Sequence, residues 1–169
     1  MSGPLAEERW ARREVVDGMT ILISTDQDLL DVAYVHQVLS GQYWCQGIPR
    51  RVVEQALANS LCFGLYHIAS AAATESRDQV GLARVVTDRA TFAYLCDVFV
   101  DDRVRGRGLG KRLMQAVMAH PHLQGLRRFM LLTRDAHGLY QQFGFTAAAA
   151  PDRIMEKWDP QVYQRPMPG

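Results

Sequence analysis

Cysteine is scarce in this chain, and the little there is does not pair up. Cys45, Cys62 and Cys96 are odd in number and show neither Cys-x-x-Cys spacing nor a His/Cys cluster, which argues against a disulfide framework or a zinc site and for a reducing compartment. Long apolar runs are missing as well. No stretch approaches the ~18 consecutive apolar residues of a spanning helix. The opening MSGPLAEERWARREVVDG carries charges where an export signal needs an apolar core. The expectation is a cytoplasmic protein with no membrane partner and no metal. Charge of one sign is not in excess: the formal net charge is +1, so the molecule lacks the overall positive field of a nucleic-acid-binding protein. Repeats of solenoid length are absent, and the only low-complexity stretch is the alanine run 147–150, directly before Pro151.

What remains is an ordinary globular composition. With 169 residues, 48% hydrophobic and 22% charged, the chain has enough material for one domain with a self-sufficient core. The reading is a single domain over 1–169, with a core of about 19–158. The charged segment 1–18 and the Pro/Gly-rich end 159–169 lack apolar periodicity and read as tails.

Inside the core, MTILIS reads as a strand, and Thr25 with Asp28 opens a stretch whose Leu29, Val32, Ala33, His36 and Leu39 share a helical face. Pro49 suits the first position of a second helix, continued by Val52, Val53, Ala56 and Leu57 to about Ser60. LCFGLYH, QVGLARVVTD and TFAYLCDVFVD follow as an antiparallel meander separated by SAAATESRD and DRA. A Gly-rich basic turn then leads into a helix with Leu109, Leu113, Ala116 and Val117 on one face. The strand FMLLT, a short helix ending near Phe143 with Gly144 as its cap, and a last strand complete the order. The sequence predicts a mixed α/β fold.

The turn DDRVRGRGLGKRL concentrates charge. Arg103, Arg105, Arg107, Lys111 and Arg112 fall within ten positions of a nearly neutral chain, which points to an anionic ligand. Gly106, Gly108 and Gly110 strip side chains from a tight turn directly before a helix. Backbone N–H groups can then converge on an anion at the positive end of the helix dipole, a geometry that suits a pyrophosphate. Two familiar glycine motifs fail on spacing. A Walker loop needs Gly and Ser/Thr where Arg105 and Arg112 stand, and a dinucleotide fingerprint needs G-x-G-x-x-G where this chain has G-x-G-x-G. A solvated basic turn is the plain alternative.

The pattern around the turn resembles the GNAT N-acetyltransferase family. Arg105-Gly106-Arg107-Gly108-Leu109-Gly110 resembles its phosphate signature, CDVFV its fourth strand, and DAHGLYQQFGF its tyrosine-bearing helix. The resemblance covers about 19–158. It implies a central mixed, mostly antiparallel twisted sheet with a splayed fourth strand, flanked by about four helices, and acetyl-coenzyme A as cosubstrate. It implies that Val98, Phe99 and Val100 pair through their backbone with the pantetheine arm, as an added strand would. Arg105, Gly106, Arg107, Gly108, Leu109, Gly110 and Lys111 then take the pyrophosphate. Tyr140 matches the family's general acid, which hydrogen-bonds the departing thiolate. Thr133 stands where the family often has Asn. His137, one turn before Tyr140, is a candidate to approach the thiol or relay a proton, with a surface or core histidine as the alternative.

An amine acceptor of pKa ~10.4 is about one part in a thousand neutral at pH 7, so a base or a bound water is expected. Asp97 is the candidate, with a pairing to an arginine such as Arg84 as its alternative. Cys96 has no base beside it and reads as packing rather than a nucleophile. Tyr43 and Trp44 fall where this family builds its variable acceptor pocket, with core packing as the alternative. The expectation is direct transfer of acetyl to a primary amine, on a small molecule or a peptide, in a ternary complex. A non-catalytic acyl-coenzyme A-binding regulatory module is the alternative, and a homodimer is compatible with either.

Overall fold

The computed structural model describes residues 9–71 and 74–165. It begins with a hairpin where the sequence reads as a tail. β1 (Ala11–Val16) runs antiparallel to β2 (Met19–Ser24) through Asp17 and Gly18, whose φ angles of 47° and 74° form the left-handed two-residue turn that suits strand twist. The strand hides in the sequence because it is an edge. Its half-buried Arg12 and Glu14 are charged, and Glu14 pairs with Arg112 at 3.3 Å, an inward-pointing charge of the kind that keeps edges from joining other chains.

The first helix starts later than its pattern suggests. Thr25 accepts a hydrogen bond from the Trp10 N–H at 3.0 Å, tying β1 down, while Asp26 caps a short 3-10 turn, Gln27–Leu29. α1 (Val32–Ser40) is capped by Asp31, whose carboxylate accepts from the Tyr34 N–H at 2.9 Å. Val35 and Leu39 face the core, whereas Ala33 faces out. α2 (Arg50–Ala58) follows Pro49 and buries Val53 and Leu57.

β3 (Leu61–Ala71), β4 (Thr74–Thr87) and β5 (Phe92–Val100) form the antiparallel meander. The polar stretch read as a separator between the first two extends their ladder instead, with Ala69 opposite Ser76 and Ser70 opposite Glu75. α3 (Leu109–Ala119) leads to β6 (Arg128–Leu131), parallel to β5, and α4 (His137–Gln141) is capped by Gln142 rather than by the expected Gly144, which takes φ 83° in the turn that follows. The sheet order is β1-β2-β3-β4-β5-β6. The expected last strand is absent among the described residues. After α4 they hold only the 3-10 turns Pro151–Arg153 and Val162–Gln164. Nor is the whole stretch after 159 a loose tail, because Tyr163 packs on the α1–α2 cluster.

Each face of the sheet carries its own core. Phe63, Leu65, Val85 and Leu95 pack under Leu113, Met114 and Val117 of α3, while Cys62, Leu82 and Phe99 pack under Val35, Leu39, Val53 and Leu57. The chain fold is thus a mixed α/β sandwich of helices around one mostly antiparallel sheet. Among the described residues no helix is long and apolar enough to cross a membrane.

α3 ends at His120, which is 2% exposed between the rings of Trp10 and Phe63. Its Nδ1 accepts from the His122 N–H at 3.3 Å, so that nitrogen carries no proton. Burial, with His122 and Arg89 adding, lowers its pKa from 6.5 to about 4. The folded chain therefore resists a proton that the unfolded chain accepts. His120 stabilises the fold above pH 6.5, and that contribution is lost as pH falls toward 4. Denaturant titrations across this range should show stability falling by up to a few kcal/mol more in the native chain than in His120→Phe. Parallel pH profiles for the two would contradict this reading.

Candidate active site

β5 and β6 part company halfway along. Four residue pairs join them, from Phe92 opposite Arg128 to Leu95 opposite Leu131; β6 then ends while β5 runs on to Val100. Over 96–100, β5 keeps β4 on one side and, among the described residues, has no strand on the other, so the backbone groups of that edge are open to a ligand. The opening coincides with a bulge. Leu82 stands opposite Phe99 and Arg84 opposite Cys96, two steps on β4 against three on β5, and Asp97 takes the left-handed φ of 50°. Strict alternation would send Asp97 to the α3 side with Leu95. The extra residue sends it to the other face, where it meets Arg84 and Trp44.

Beyond β5 the chain turns through Asp101, which caps the 3-10 turn Asp102–Val104 by accepting from the Arg103 N–H. Gly106 and Gly108 then adopt φ 78° and 69°, conformations that cost other residues strain, and a Cβ at either would meet nothing within 4 Å. Gly108 caps α3 without a side chain, and the first helical bond is Arg112 N–H to the Gly108 carbonyl at 3.1 Å. The N–H groups of Leu109, Gly110 and Lys111 precede that bond and have no intrahelical acceptor. Leu109 itself is 2% exposed and anchors the helix, so only its backbone faces a ligand.

The basic residues of the turn divide into engaged and free. Arg103 pairs with Asp78 at 3.0 Å and Asp101 at 2.8 Å, Arg105 with Asp102 at 2.6 Å, and Arg112 with Glu14 at 3.3 Å. The Arg103 hydrogen bond holds the Asp101 carboxyl down at about 2. Arg107 and Lys111 make no ion pair among the described residues and are exposed. The Arg105 pair lies in solvent, where such a contact is worth roughly 0–1 kcal/mol and yields readily to a phosphate. An open glycine cradle, uncapped amides and two unpaired cations together fit a pyrophosphate.

On the other side of the opening, Thr133 accepts from the Ala136 N–H at 3.0 Å and so starts α4. Tyr140 is 9% exposed and meets Phe145 edge-on at 6.1 Å. Burial, with Tyr43 and Asp135 adding, pushes its phenol up, so it keeps its proton at neutral pH and can donate. His137 opens the same helix and is exposed. Tyr43 and Trp44 meet edge-on at 5.0 Å in the connection between α1 and α2, half exposed. The guanidinium of Arg134 lies 3.8 Å over the Tyr43 ring, a cation–π contact the sequence reading missed, since nothing in the spacing links positions 43 and 134.

Asp97 is fully engaged. Arg84 Nε donates to one oxygen at 2.6 Å and Trp44 Nε1 to the other at 3.1 Å, while Arg84 also donates to the Ser60 hydroxyl at 3.0 Å. Burial works against the Arg84 charge, but Asp97 more than restores it and its pKa is raised. The pairing with Arg84 is therefore the arrangement formed. Beside it the Cys96 thiol is pushed up to about 12, by burial first, with Arg84 opposing and Asp97 adding, so it stays protonated and unreactive.

Comparison with known proteins agrees with this architecture. Residues 64–147 match the family model of the Acetyltransferase (GNAT) domain. A Gibberella zeae protein assigned by inference to the acetyltransferases is 37% identical over 135 residues, covering 70% of this chain and 75% of that protein. A crystal structure of a GNAT-family protein from Xanthomonas campestris pv. campestris is 49% identical, with a TM-score of 0.77 over 86% of this chain and 97% of that one. A Clostridium acetobutylicum structure holding acetyl-CoA shares the fold at 14% identity, with a TM-score of 0.52 over 88% of this chain and 95% of its own. At that coverage and identity, and with this fold, the chain belongs to the GNAT acetyltransferase family.

Proposed function

We propose that the protein transfers an acetyl group from acetyl-CoA to a primary amine by direct attack in a ternary complex. The observation that carries this reading is the opening between β5 and β6, with the uncapped end of α3 following one strand and Tyr140 following the other. Bound acetyl-CoA supplies an acetyl thioester, whose carbonyl the amine attacks to form an amide and release the thiol. The amides of Leu109, Gly110 and Lys111 hold the pyrophosphate, with Arg107 and Lys111 adding charge and Arg105 able to exchange its partner. Val98, Phe99 and Val100 offer strand-like backbone pairing to the pantetheine arm. Their side chains serve the cores on either face, which explains apolar residues at a polar contact.

Tyr140 donates a hydrogen bond to the departing sulfur. With its phenol above 10 and a thiol near ~8.5, full proton transfer is uphill, so stabilisation through the hydrogen bond is the larger effect. Asp97 acts as a positioning residue rather than as the base, because taking a proton would break its bond to Arg84. It fixes Trp44, and with it the wall of the acceptor pocket. The amine then reacts in its neutral form, a handicap of about 4–5 kcal/mol at pH 7 for an ordinary alkyl amine, so turnover rises with pH. The engagement of Asp97 also favours a second reading, binding of acyl-CoA without turnover. A panel of amines with thiol release read by mass spectrometry decides between them.

Three substitutions test the assignment. Tyr140→Phe should lower kcat by roughly tenfold or more with coenzyme affinity retained, and unchanged chemistry-limited turnover would remove Tyr140 from the mechanism. Gly108→Ala should weaken coenzyme A binding in calorimetry and cost ~1 kcal/mol of stability through its left-handed backbone. Retained affinity would move the pyrophosphate elsewhere. Asp97→Asn should reduce stability and raise KM while leaving the pH–rate profile in place. A shift of that profile to alkaline pH would restore Asp97 as the base, and an unmoved one leaves His137 as the next group to vary.

A further inference from the structure

Aromatic rings from three separate segments meet on one face of the sheet around the Arg84–Asp97 pair. Tyr43 and Trp44 come from the connection between α1 and α2, their rings 5.0 Å apart, with the Trp44 indole donating to Asp97 at 3.1 Å. Tyr94 comes from β5. It stands opposite Val86, two steps along from the Cys96–Arg84 pair, so its side chain points to the same face, where burial first, then Cys96 and Asp97, push its phenol up. Tyr163 comes from the end of the described chain and packs on the α1–α2 cluster that includes Cys45. Burial, then Cys45 and Asp97, push its phenol up while Arg84 opposes, so the ring lies within reach of the same ion pair. A clip holds it there. The Asp159 carboxylate accepts from the Gln161 N–H at 3.1 Å and from Arg165 at 3.0 Å, and the Gln164 N–H donates to the Gln161 carbonyl at 3.0 Å.

Building on the acetyl-transfer reading above, we propose that the acceptor is a primary amine carried on a planar aromatic body, and that Tyr163 closes the pocket over that body. Charge decides what these rings can hold. Among the described residues the carboxylates near them are committed or in solvent: Asp97 is held by Arg84 and Trp44, Asp135 pairs with Arg134 at 3.6 Å and is exposed, and Glu156, which acts on Tyr94, is exposed too. An exposed carboxylate adds little to the binding of an ammonium. Arg134 already lies 3.8 Å over the Tyr43 ring, so a body with further positive charges is repelled at that end. The amine therefore arrives neutral, and its affinity comes from the body that carries it. Apolar area suits any hydrocarbon, but rings also offer edge-on and offset-stacked contacts that only another ring can return. The Tyr163 hydroxyl makes no hydrogen bond among the described residues, so its ring is the part that serves.

Initial rates with phenethylamine and hexylamine, both primary alkyl amines of comparable apolar bulk, read this preference directly. The native chain is expected to show kcat/KM higher for phenethylamine by roughly tenfold or more. Tyr163→Ala should bring that ratio toward one while calorimetry shows coenzyme A affinity retained, and Tyr163→Phe should keep the ratio. Equal kcat/KM for both amines on the native chain, or a ratio unmoved by Tyr163→Ala, would overturn the proposal. If neither amine is turned over, calorimetric titration of each into the coenzyme A-loaded protein separates the aromatic pocket from the transfer reaction. Tighter binding of phenethylamine, lost in Tyr163→Ala, then supports the pocket and counts against acetyl transfer to such amines, whereas equal or absent binding overturns the pocket as well.

Discussion

The contact between Arg84 and Asp97 holds three parts of the fold to one another. Arg84 lies on β4 and reaches Ser60 at the end of α2; Asp97 lies at the bulge of β5 and takes the indole N–H of Trp44 from the α1–α2 connection. Their side chains are 16% and 10% exposed, so each charge has given up most of its water, a loss of several kcal/mol per ion. The 2.6 Å contact, the Ser60 hydroxyl and the Trp44 indole offset that loss, and removing either charge leaves the other stranded at a cost of about 3–5 kcal/mol. The bulge, the divergence of β5 from β6 and the position of Trp44 accordingly form one arrangement.

That arrangement also explains why the two halves of the site are made differently. The donor half in the proposed reading is backbone: open strand edge, left-handed glycines, amides at the start of α3. Backbone donors need no side-chain ordering on binding, and they hold their geometry because Leu109, Phe99 and Val104 lock the same residues into the cores. The acceptor half in that proposal is side chain: Tyr43 under Arg134 and Trp44 on Asp97. Such a surface can change acceptor without disturbing coenzyme binding.

Electrostatics at the phosphate turn follows a similar economy. Five cations in ten positions would repel one another, and acidic residues from β1, β4 and the turn itself neutralise three of them. Arg103 in particular braces the hairpin arm at Asp78 against Asp101, and Tyr34 donates to the same Asp101 at 3.1 Å, which links α1 to the turn. What is left for a ligand is a small positive surface on an almost neutral molecule.

The sequence by itself determined the elements whose burial is one-sided. Helices α2 and α3 and the meander of β3, β4 and β5 follow directly from apolar period, and the glycine turn from the need for positive φ, because these are local properties of the chain. The glycine turn and open strand of the proposed donor site were legible for the same reason: they belong to one continuous segment. β1 was not, since an edge strand with inward charges has no apolar alternation to display, and only the Asp17-Gly18 turn hinted at it. The Arg84–Asp97 pair was foreseen as an alternative, but choosing it required knowing that one extra residue in β5 turns Asp97 to the face of Arg84. The stacking of Arg134 on Tyr43 and the neutralisation of Arg103 by Asp78 depend on contacts between segments far apart in sequence. Such contacts carry no periodic signal, and tertiary packing alone decided them.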